Sequence, residues 1–399
     1  MNARSKERRG FALLLTLALL SFVLLLLLGL VAVVRLEAQA AVNAGELARA
    51  RANARLALWI AIGQLQRYTG GDGIVTARAD VAGAAVANPA WTGVWRANDS
   101  LGAVTWLVSG NENTPLALTP DTALSDAEAV WLLKRNLAAS EQVRARRMAI
   151  DAVPTGESAA RTIGRYAFWV GDESLKVSMN VRTDVAPPPG YTVYPVPRTQ
   201  SVFSSIAANS TNDARAKLLV VDQLLLPPFN VNGNTLNALW PAVTAAAPRL
   251  HFPGVGAGQL IPGSFNANTR SQAAWNAYLD TLTLTVSRAA AYAAIRDAAR
   301  PFRSTADFQA KLAANSTVGV TNAATIAARL APVLCVRGDT FLVRAYGDAV
   351  NLARQPGDAD YIAASAYCEA LVQRTAAPAG AFGYRYVVVY FRWLAAEDI

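Results

Sequence analysis

The first 70 residues carry two hydrophobic patterns in succession. Residues 11–34 contain no charged side chain, and residues 36–65 then place apolar side chains three, four or seven positions apart. A hydrocarbon core about 30 Å thick needs about 20 apolar residues in helical form, and the second spacing is that of one apolar stripe on a helix. No proline interrupts either pattern, which ends at the glycine-rich GGDG of residues 70–73. We therefore predict one continuous helix over residues 11–67, roughly 85 Å long at about 1.5 Å per residue.

Beyond this helix the pattern changes to short alternating runs that are typical of strands. The clearest runs cover residues 91–95, 104–108, 164–170, 334–349, 361–375 and 384–393. The runs 334–349 and 361–375 predict a hairpin around QPGD at residues 355–358, and residues 175–181 predict the second arm of another hairpin, with its turn at Gly171-Asp172-Glu173. Residues 127–137 stay open, because SDAE before them is typical of a helix start whereas AVWLL also fits a buried strand.

Between these β-rich parts lies a stretch of different character. A proline-rich run at residues 185–197 is typical of a linker, and helical patterns follow it at residues 214–226, 273–284, 287–300, 301–307 and 322–330. The chain is thus predicted to be α+β, with a long N-terminal transmembrane and amphipathic helix and an antiparallel β head that contains an inserted α-helical domain. The predicted parts are 1–10, 11–67, a first head part 68–184, an insertion 185–332 and a last head part 333–399.

The charge of the chain changes this picture little. The net charge is +9 over 399 residues, but residues 1–10 alone carry +3 and the other arginines are scattered rather than interleaved with aromatic side chains. No nucleic-acid partner is therefore predicted. The basic residues before the apolar span predict a cytoplasmic N-terminus and an exported remainder, because positive flanks stay on the cytoplasmic side.

Three fates of the N-terminal segment remain open at this point. The small residues Ala38-Gln39-Ala40 imitate a signal-peptidase site, although the apolar run exceeds the about 7–15 residues of a secretory signal. A permanent signal anchor is the second reading. The third is cleavage after Gly10, where a basic leader meets Gly and then Phe11.

The third reading rests on a resemblance to the type IV pilin and pseudopilin superfamily. In that superfamily a basic leader ending in Gly is cleaved before an aromatic residue or Met, and the long helix serves as membrane anchor and filament core. Gly10 and Phe11 match the two sides of the cut, and the new amine of Phe11 would be a methylation site. Leu15 stands at the fifth mature position, where most pilins carry Glu. That departure is shared with K-type minor pseudopilins of type II secretion and points to a minor or tip subunit.

The resemblance extends into the head. DESLKVSMN (172–180) is similar to the D-E-x-x-K-x-x-x-N turn of K-type minor pseudopilins, which also carry an inserted helical domain. The chain further resembles the cassette protein A family of the Verru/Chthon cassettes, a family of pilin-like surface proteins. That resemblance is carried by WLVSGNE (106–112), GRYAFWVGDESLKV (164–177), PFRSTADF (301–308), RGDTFLVRAYGDA (337–349), AYCEALVQR (366–374) and the terminal FRWLAAEDI.

Catalytic and metal-binding patterns are weak. His251 is the single histidine. It does not by itself indicate a catalytic triad, and one histidine with two cysteines provides too few ligands for a zinc site. GVGAGQ at residues 254–259 lacks the third glycine of the dinucleotide fingerprint. Asp172-Glu173 is predicted to be a turn with solvated charges, and Asp358-Ala359-Asp360 offers too few oxygens for Ca²⁺. No metal site, cofactor, small-molecule substrate or enzymatic activity is predicted.

Cys335 and Cys368 are either a disulfide or two small buried side chains, since an exported chain can pair them but the predicted hairpin register makes the bond awkward.

The sequence therefore predicts a minor pseudopilin-like structural subunit in the inner membrane or assembled envelope. Its expected partners are a prepilin peptidase, other pilin-like subunits and membrane lipid. The alternative is a single-pass, signal-anchored exported protein whose outer domain binds a ligand and does not polymerise. An exported enzyme is the third possibility and has no site to support it.

Overall fold

The computed structural model describes residues 4–83, 86–153, 158–179, 218, 220–245 and 265–399. It opens with one helix of 66 residues, α1 (Arg4–Thr69). Side chains from residue 13 to the mid-forties lie almost entirely exposed, and burial begins at Ala50. The long N-terminal helix expected from the hydrophobic pattern is confirmed.

A five-stranded antiparallel sheet forms the centre of the head. Its strands, in spatial order, are β14 (Tyr384–Leu394), β13 (Ile362–Pro378), β12 (Thr340–Val350), β7 (Arg161–Asp172) and β6 (Met148–Ala152). The two arms of the predicted C-terminal hairpin are thus β12 and β13, and the predicted last strand is β14.

Smaller sheets surround this centre. The antiparallel ones are β1 (Ile74–Arg78), β2 (Thr92–Arg96) and β3 (Thr105–Trp106), and separately β4 (Ala129–Leu133) with β5 (Val143–Arg146). Two short parallel pairs join β8 (Val177–Ser178) to β9 (Val243–Thr244) and β10 (Phe265–Asn266) to β11 (Leu334–Cys335). The stretch that was open between helix and strand is β4.

Further α-helices lie between β8 and β11 in the described residues: α2 (Gly233–Leu239), α3 (Gln272–Leu279), α4 (Arg288–Asp297), α5 (Thr305–Ala313) and α6 (Gly319–Leu330). The side chains of Ser271, Ser287 and Ser304 accept a hydrogen bond from the backbone N–H three residues on and so begin α3, α4 and α5. Aromatic rings around Trp275 and Phe308, stacked with centroids 5.6 Å apart, fill the core between these helices.

The central sheet separates two hydrophobic cores, because side chains alternate between its faces. On β12, Phe341, Val343 and Ala345 face α1, whereas Leu342 and Tyr346 face the larger core that reaches into the helical insertion. Phe168 and Val170 of β7 also lie on the α1 side. The predicted α+β class, with an antiparallel head and an inserted helical part, is confirmed.

Two local predictions are wrong. Residues 175–181 do not return as the arm of a hairpin: Glu173–Leu175 is a 3-10 turn, and β8 pairs in parallel with β9. In the predicted helix 214–226, the described part is a 3-10 turn, Val221–Leu225. The predicted boundary at residues 184–185, the proline-rich run, His251 and residues 254–259 lie outside the described residues.

Candidate functional site

The N-terminal half of α1 is an uncovered apolar surface. Within the described residues α1 is the helix that is long and apolar enough to cross a membrane, by length and composition. Leu15 belongs to this surface with 60% of its area exposed, and Gly10 and Phe11 lie in helical backbone before it. The hydroxyls of Thr16 and Ser21 donate to carbonyl groups three and four residues back. Such bonds satisfy polar side chains within an apolar helix.

The C-terminal half of α1 packs on the central sheet through small residues. Ala50, Ala54, Ala57 and Ala61 are fully buried against β12 and β13. Gly347 of β12 lies directly beneath them: a methyl group there would come within 2.6 Å of the Asn53 carbonyl carbon and closer still to other backbone atoms of the helix. The helix and sheet therefore meet backbone to backbone.

Polar bonds fasten the end of α1 to the β13–β14 turn. The Gln66 side-chain amide donates to the carbonyl oxygens of Phe382 (2.9 Å) and Tyr384 (2.8 Å). Arg374 of β13 donates to the Gly70 carbonyl at 2.7 Å and to Asp72 at 2.5 Å. The bond to Gly70 satisfies a carbonyl group at the C-terminal end of α1, and the Gln66 bonds tie the helix to the β13–β14 turn.

Arg374 also favours the charged form of the neighbouring Asp72. The hydrogen bond from Arg374 holds the pKa of the Asp72 carboxyl below its usual value. Helix α1 and the head are therefore fastened by apolar packing, hydrogen bonds and an ion pair.

The Asp172-Glu173 turn is buried, so the prediction of solvated charges is wrong. One Asp172 oxygen accepts from Thr76 Oγ1 at 2.6 Å and the other from the backbone N–H of Ser174 at 2.9 Å. A Cβ at Gly338 would contact the same carboxylate, so only glycine lets the loop before β12 close over it. Burial raises the pKa of Asp172 to about 6, although the bonds from Ser174 and Thr76 oppose that rise.

The neighbouring charge pair joins the head to the insertion. Glu173 accepts from Lys176 Nζ at 2.8 Å, and the same ammonium group lies 3.8 Å from the centre of the Trp240 ring. The acid at position i and the lysine at i+3 were visible in the sequence. Their burial depends on Trp240, which lies 64 positions beyond Lys176 along the chain.

A second buried charge network was not anticipated. Arg344 of β12 is fully buried and donates to Glu369 at 2.8 Å and to the Asp398 carbonyl at 3.1 Å. Arg392 also donates to Glu369, at 2.9 Å, and forms an ion pair with Asp222 of the 3-10 turn. The network joins the sheet, the insertion and the last residues of the chain.

The two cysteines are free thiols in the structure. Cys368 lies on the α1 side of the sheet, where its sulfur is 3.8 Å from the Ala54 carbonyl oxygen. Cys335, in β11, donates to the Arg337 carbonyl at 3.2 Å. The possible disulfide is therefore not formed here.

The Asp358-Ala359-Asp360 segment lies in the exposed turn between β12 and β13. Asp360 is 3.5 Å from Arg354. In the described ranges no group of three or more His, Cys, Asp or Glu side chains is placed to hold a metal ion.

Comparisons with known proteins find likeness to solved structures. No family model and no curated protein matches the chain. The crystal structure of the GspK-GspI-GspJ complex from the type 2 secretion system of enterotoxigenic Escherichia coli is similar with a TM-score of 0.30 and 12% identity. The match covers 59% of this chain and 81% of that chain.

Proposed function

We propose that this chain is a minor pseudopilin-like structural subunit of a type IV pilus or a type II secretion-like envelope apparatus. One observation carries the proposal: a single continuous helix has an exposed apolar half, and its other half is fastened to an antiparallel head. Such a helix can lie in lipid before assembly and bury the same surface against other apolar helices afterwards, so that its apolar area stays out of water in both states.

The fastening of α1 to the head supports this role. A subunit that is drawn from a membrane by its helix must carry its head with it. Helix and head are held together as one rigid unit by the buried alanines of α1 and by the hydrogen bonds of Gln66 and Arg374. A signal anchor that only tethers an outer domain needs no such rigid junction.

The N-terminal processing belongs to the proposal as well. A prepilin peptidase would cleave after Gly10 and leave Phe11 as the new N-terminus, with its amine open to methylation. Leu15 stands where most pilins carry Glu, and this departure supports a minor position for the subunit. The N-terminus would be cytoplasmic, the head exported, and the partners would be lipid before assembly and other pilin-like subunits after it.

The test is the N-terminal residue and intact mass of the protein taken from its native membranes. We expect a chain that starts at Phe11, and we expect Gly10→Ala to retain residues 1–10. Gly29→Ala is the matched control, because a methyl there meets nothing within 4 Å in the same apolar helix. An intact Met1 in the wild type would make the segment a signal anchor, and a start near Ala41 would make the protein a released one.

A further inference from the structure

Strand β14 forms one edge of the central sheet. Among the described residues it pairs with β13 on one side and with no strand on the other. It is 11 residues long, and its sequence YRYVVVYFRWL is rich in aromatic and β-branched side chains and contains neither lysine nor proline. Natural edge strands are usually short or carry lysine or proline, because an open edge can pair with another chain. The edge of β14 is therefore a candidate surface for an added strand.

One end of this edge is already hydrogen-bonded as a neighbouring strand would bond it. The Gln66 side-chain amide donates to the Tyr384 carbonyl at 2.8 Å, and its oxygen accepts from the Tyr386 N–H at 3.2 Å. Backbone groups alternate in direction along a strand. The backbone of Val388, two residues after Tyr386 in an unbroken register, therefore also points away from β13. The open part of the edge begins at Val388.

The side of this edge that lies next to α1 is apolar and aromatic. Val388 and Phe391 are each 37% exposed. They pair with Val372 and Ala370, which belong to the core on the α1 side of the sheet, and cross-strand partners share a face. The ring of Trp393 lies edge-to-face with Phe391, with centroids 5.3 Å apart. An added strand would thus meet apolar side chains on this face as well as a free backbone.

Helix α1 adds two arginines and a tryptophan to the same face. The guanidinium carbons of Arg51 and Arg55 each lie 5.3 Å from the centre of the Trp393 ring. Both arginines are exposed, and neither forms an ion pair within the described part of the chain. Trp59 follows Arg55 by one helical turn and is 63% exposed. We call this surface the α1–β14 face; it consists of Arg51, Arg55, Trp59, Val388, Phe391 and Trp393.

The charge of the α1–β14 face indicates the chemistry of its partner. Arg51 and Arg55 are its charged side chains, and both are cations without a carboxylate partner. The guanidinium group matches the geometry of a carboxylate and binds it with charge-assisted hydrogen bonds. Arginine and tryptophan are also enriched at protein interfaces. A segment that carries Asp or Glu side chains therefore complements this face, whereas a basic segment would be repelled.

A second copy of the chain fits this edge poorly. Helix α1 and β14 run in opposite directions, because Arg51 and Arg55 lie at Trp393 whereas Gln66 lies at Tyr384. Antiparallel pairing of two β14 strands would therefore point the two α1 helices in opposite directions. Their apolar N-terminal halves could then not enter the same membrane. A copy would also bring two more arginines and no carboxylate for Arg51 and Arg55.

We propose that β14 accepts an extended acidic segment of a partner protein as an added strand of the central sheet. The main chain of that segment bonds to the edge from Val388 onward, and its carboxylates bind Arg51 and Arg55. In pairing of this kind main-chain hydrogen bonds supply affinity and alternate side chains supply specificity. This surface goes beyond assembly through the apolar half of α1 and does not depend on it.

The experiment uses the full-length protein in detergent and the synthetic peptide acetyl-(Glu-Val)4-amide as the probe. Calorimetric titration should show saturable binding, and hydrogen exchange should slow in residues 387–394. The other edge strand of the sheet, β6 (Met148–Ala152), is the internal control and should exchange unchanged. Absence of saturable binding, or binding without slower exchange in residues 387–394, would overturn the proposal.

Two further peptides separate the contributions of charge and backbone. Acetyl-(Lys-Val)4-amide keeps the backbone and reverses the charge, and acetyl-(Glu-Pro)4-amide keeps the charge but lacks the N–H group at every second residue. We expect saturable binding of neither. Equal binding of the lysine peptide would show that the arginines select nothing, and equal binding of the proline peptide would show that no strand is added. Either result contradicts the proposal.

The double variant Arg51→Gln, Arg55→Gln tests the two guanidinium groups at exposed positions, where the fold does not depend on them. It should bind acetyl-(Glu-Val)4-amide about fivefold more weakly, as expected for two exposed ion pairs. Arg67→Gln is the matched control, because Arg67 is also exposed on α1 and stacked on a ring, that of Tyr68 at 5.2 Å. It lies twelve positions after Arg55, about a third of a turn around the helix, and should bind like the wild type. Undiminished affinity of the double variant would refute the proposed contacts.

Other occupants of the face give different results in the same samples. Tighter binding of a ten-nucleotide oligothymidylate than of the acidic peptide, lost in the double variant, would make the occupant a nucleic acid. A dimer detected by light scattering and dissociated by the acidic peptide would make it a second copy of the chain. Each of these results would overturn the proposal.

Discussion

Gly347 lies where helix α1 crosses the central sheet, and replacing it with alanine tests how closely the two approach. The nearest atoms to an added methyl are the Ala54 nitrogen, the Ala50 oxygen and the Asn53 carbonyl carbon, the last at 2.6 Å. All three are backbone atoms of a helix, so no side chain can turn away. Carbon atoms pack at about 3.5–4.0 Å, and the helix must therefore lift from the sheet by about 1 Å.

The expected cost follows from two opposing effects. Overpacking of a core costs about 1–3 kcal/mol, and a rigid backbone obstacle places Gly347→Ala at the upper end. Alanine in a strand recovers about 0.5–1 kcal/mol of the entropy that glycine loses on folding. We expect the free energy of unfolding to fall by about 2 kcal/mol.

Urea unfolding of the full-length protein in detergent, followed by tryptophan fluorescence, measures this change. The midpoint of Gly347→Ala should drop by about 1 M. Gly63→Ala makes the same substitution at an exposed position of α1 where a methyl meets nothing within 4 Å, and it should stabilise the protein by about 0.5–1 kcal/mol. A Gly347→Ala midpoint at or above that of the wild type would show that helix and sheet are not in backbone contact.

Glu369→Gln leaves the buried Arg344 without its carboxylate partner, and the same urea titration should show that the free energy of unfolding falls by about 3–5 kcal/mol. The double variant with Arg344→Met should regain most of this free energy. An unchanged stability of Glu369→Gln would contradict the buried pair. Burial raises the pKa of Asp172 from 3.8 to about 6, so its protonated form favours the native state and unfolding free energy is lost as pH rises through that interval. Asp172→Asn should remove this loss, and equal pH slopes for the two proteins between pH 4 and pH 7 would refute it. Burial also raises the pKa of the thiols of Cys335 and Cys368, so a maleimide should label both only after unfolding; no labelling of unfolded, unreduced protein would reveal a disulfide.

Much of the fold is predictable because its long helices and strands show a regular spacing of apolar residues in the sequence. The uncharged run and the alanine-rich stripe predict α1, and the alternation around Phe168 and around Val343 predicts strands whose two faces meet different cores. These signals are local. They depend on neighbouring residues that share one face of a helix or strand.

The errors occur where distant residues decide the structure. The Asp172-Glu173 turn carries two charges and predicts exposure, but Thr76 from β1 and Trp240 from the insertion cover it. Strands β8 and β9 pair through two residues each. Such short strands are too short to show a recognisable alternation of apolar and polar residues. Arg344 alternates with apolar residues and suggests an exposed face, whereas its partner Glu369 arrives from the next strand.

The residues of the candidate site also differ in how far the sequence alone predicts them. Gly10, Phe11 and Leu15 follow from the N-terminal pattern alone, and their processing stays a prediction. The junction between α1 and the head depends on Gln66 and Arg374, whose partners come from distant parts of the chain. The two residues form no recognisable motif, and only the assembled head brings them to their partners.

The strand order of the central sheet has a consequence for how the molecule is made. During synthesis α1 emerges first, whereas β12, β13 and β14, which cover its inner face, begin only at residue 340 and end at residue 394. Contacts between the two ends of a chain close the largest loops and slow folding. Most of the alanine stripe of α1 therefore waits uncovered while nearly the whole polypeptide is synthesised. A chain that stops before its last three strands can cover that face of the helix only in part, with side chains such as Phe168 and Val170 of β7.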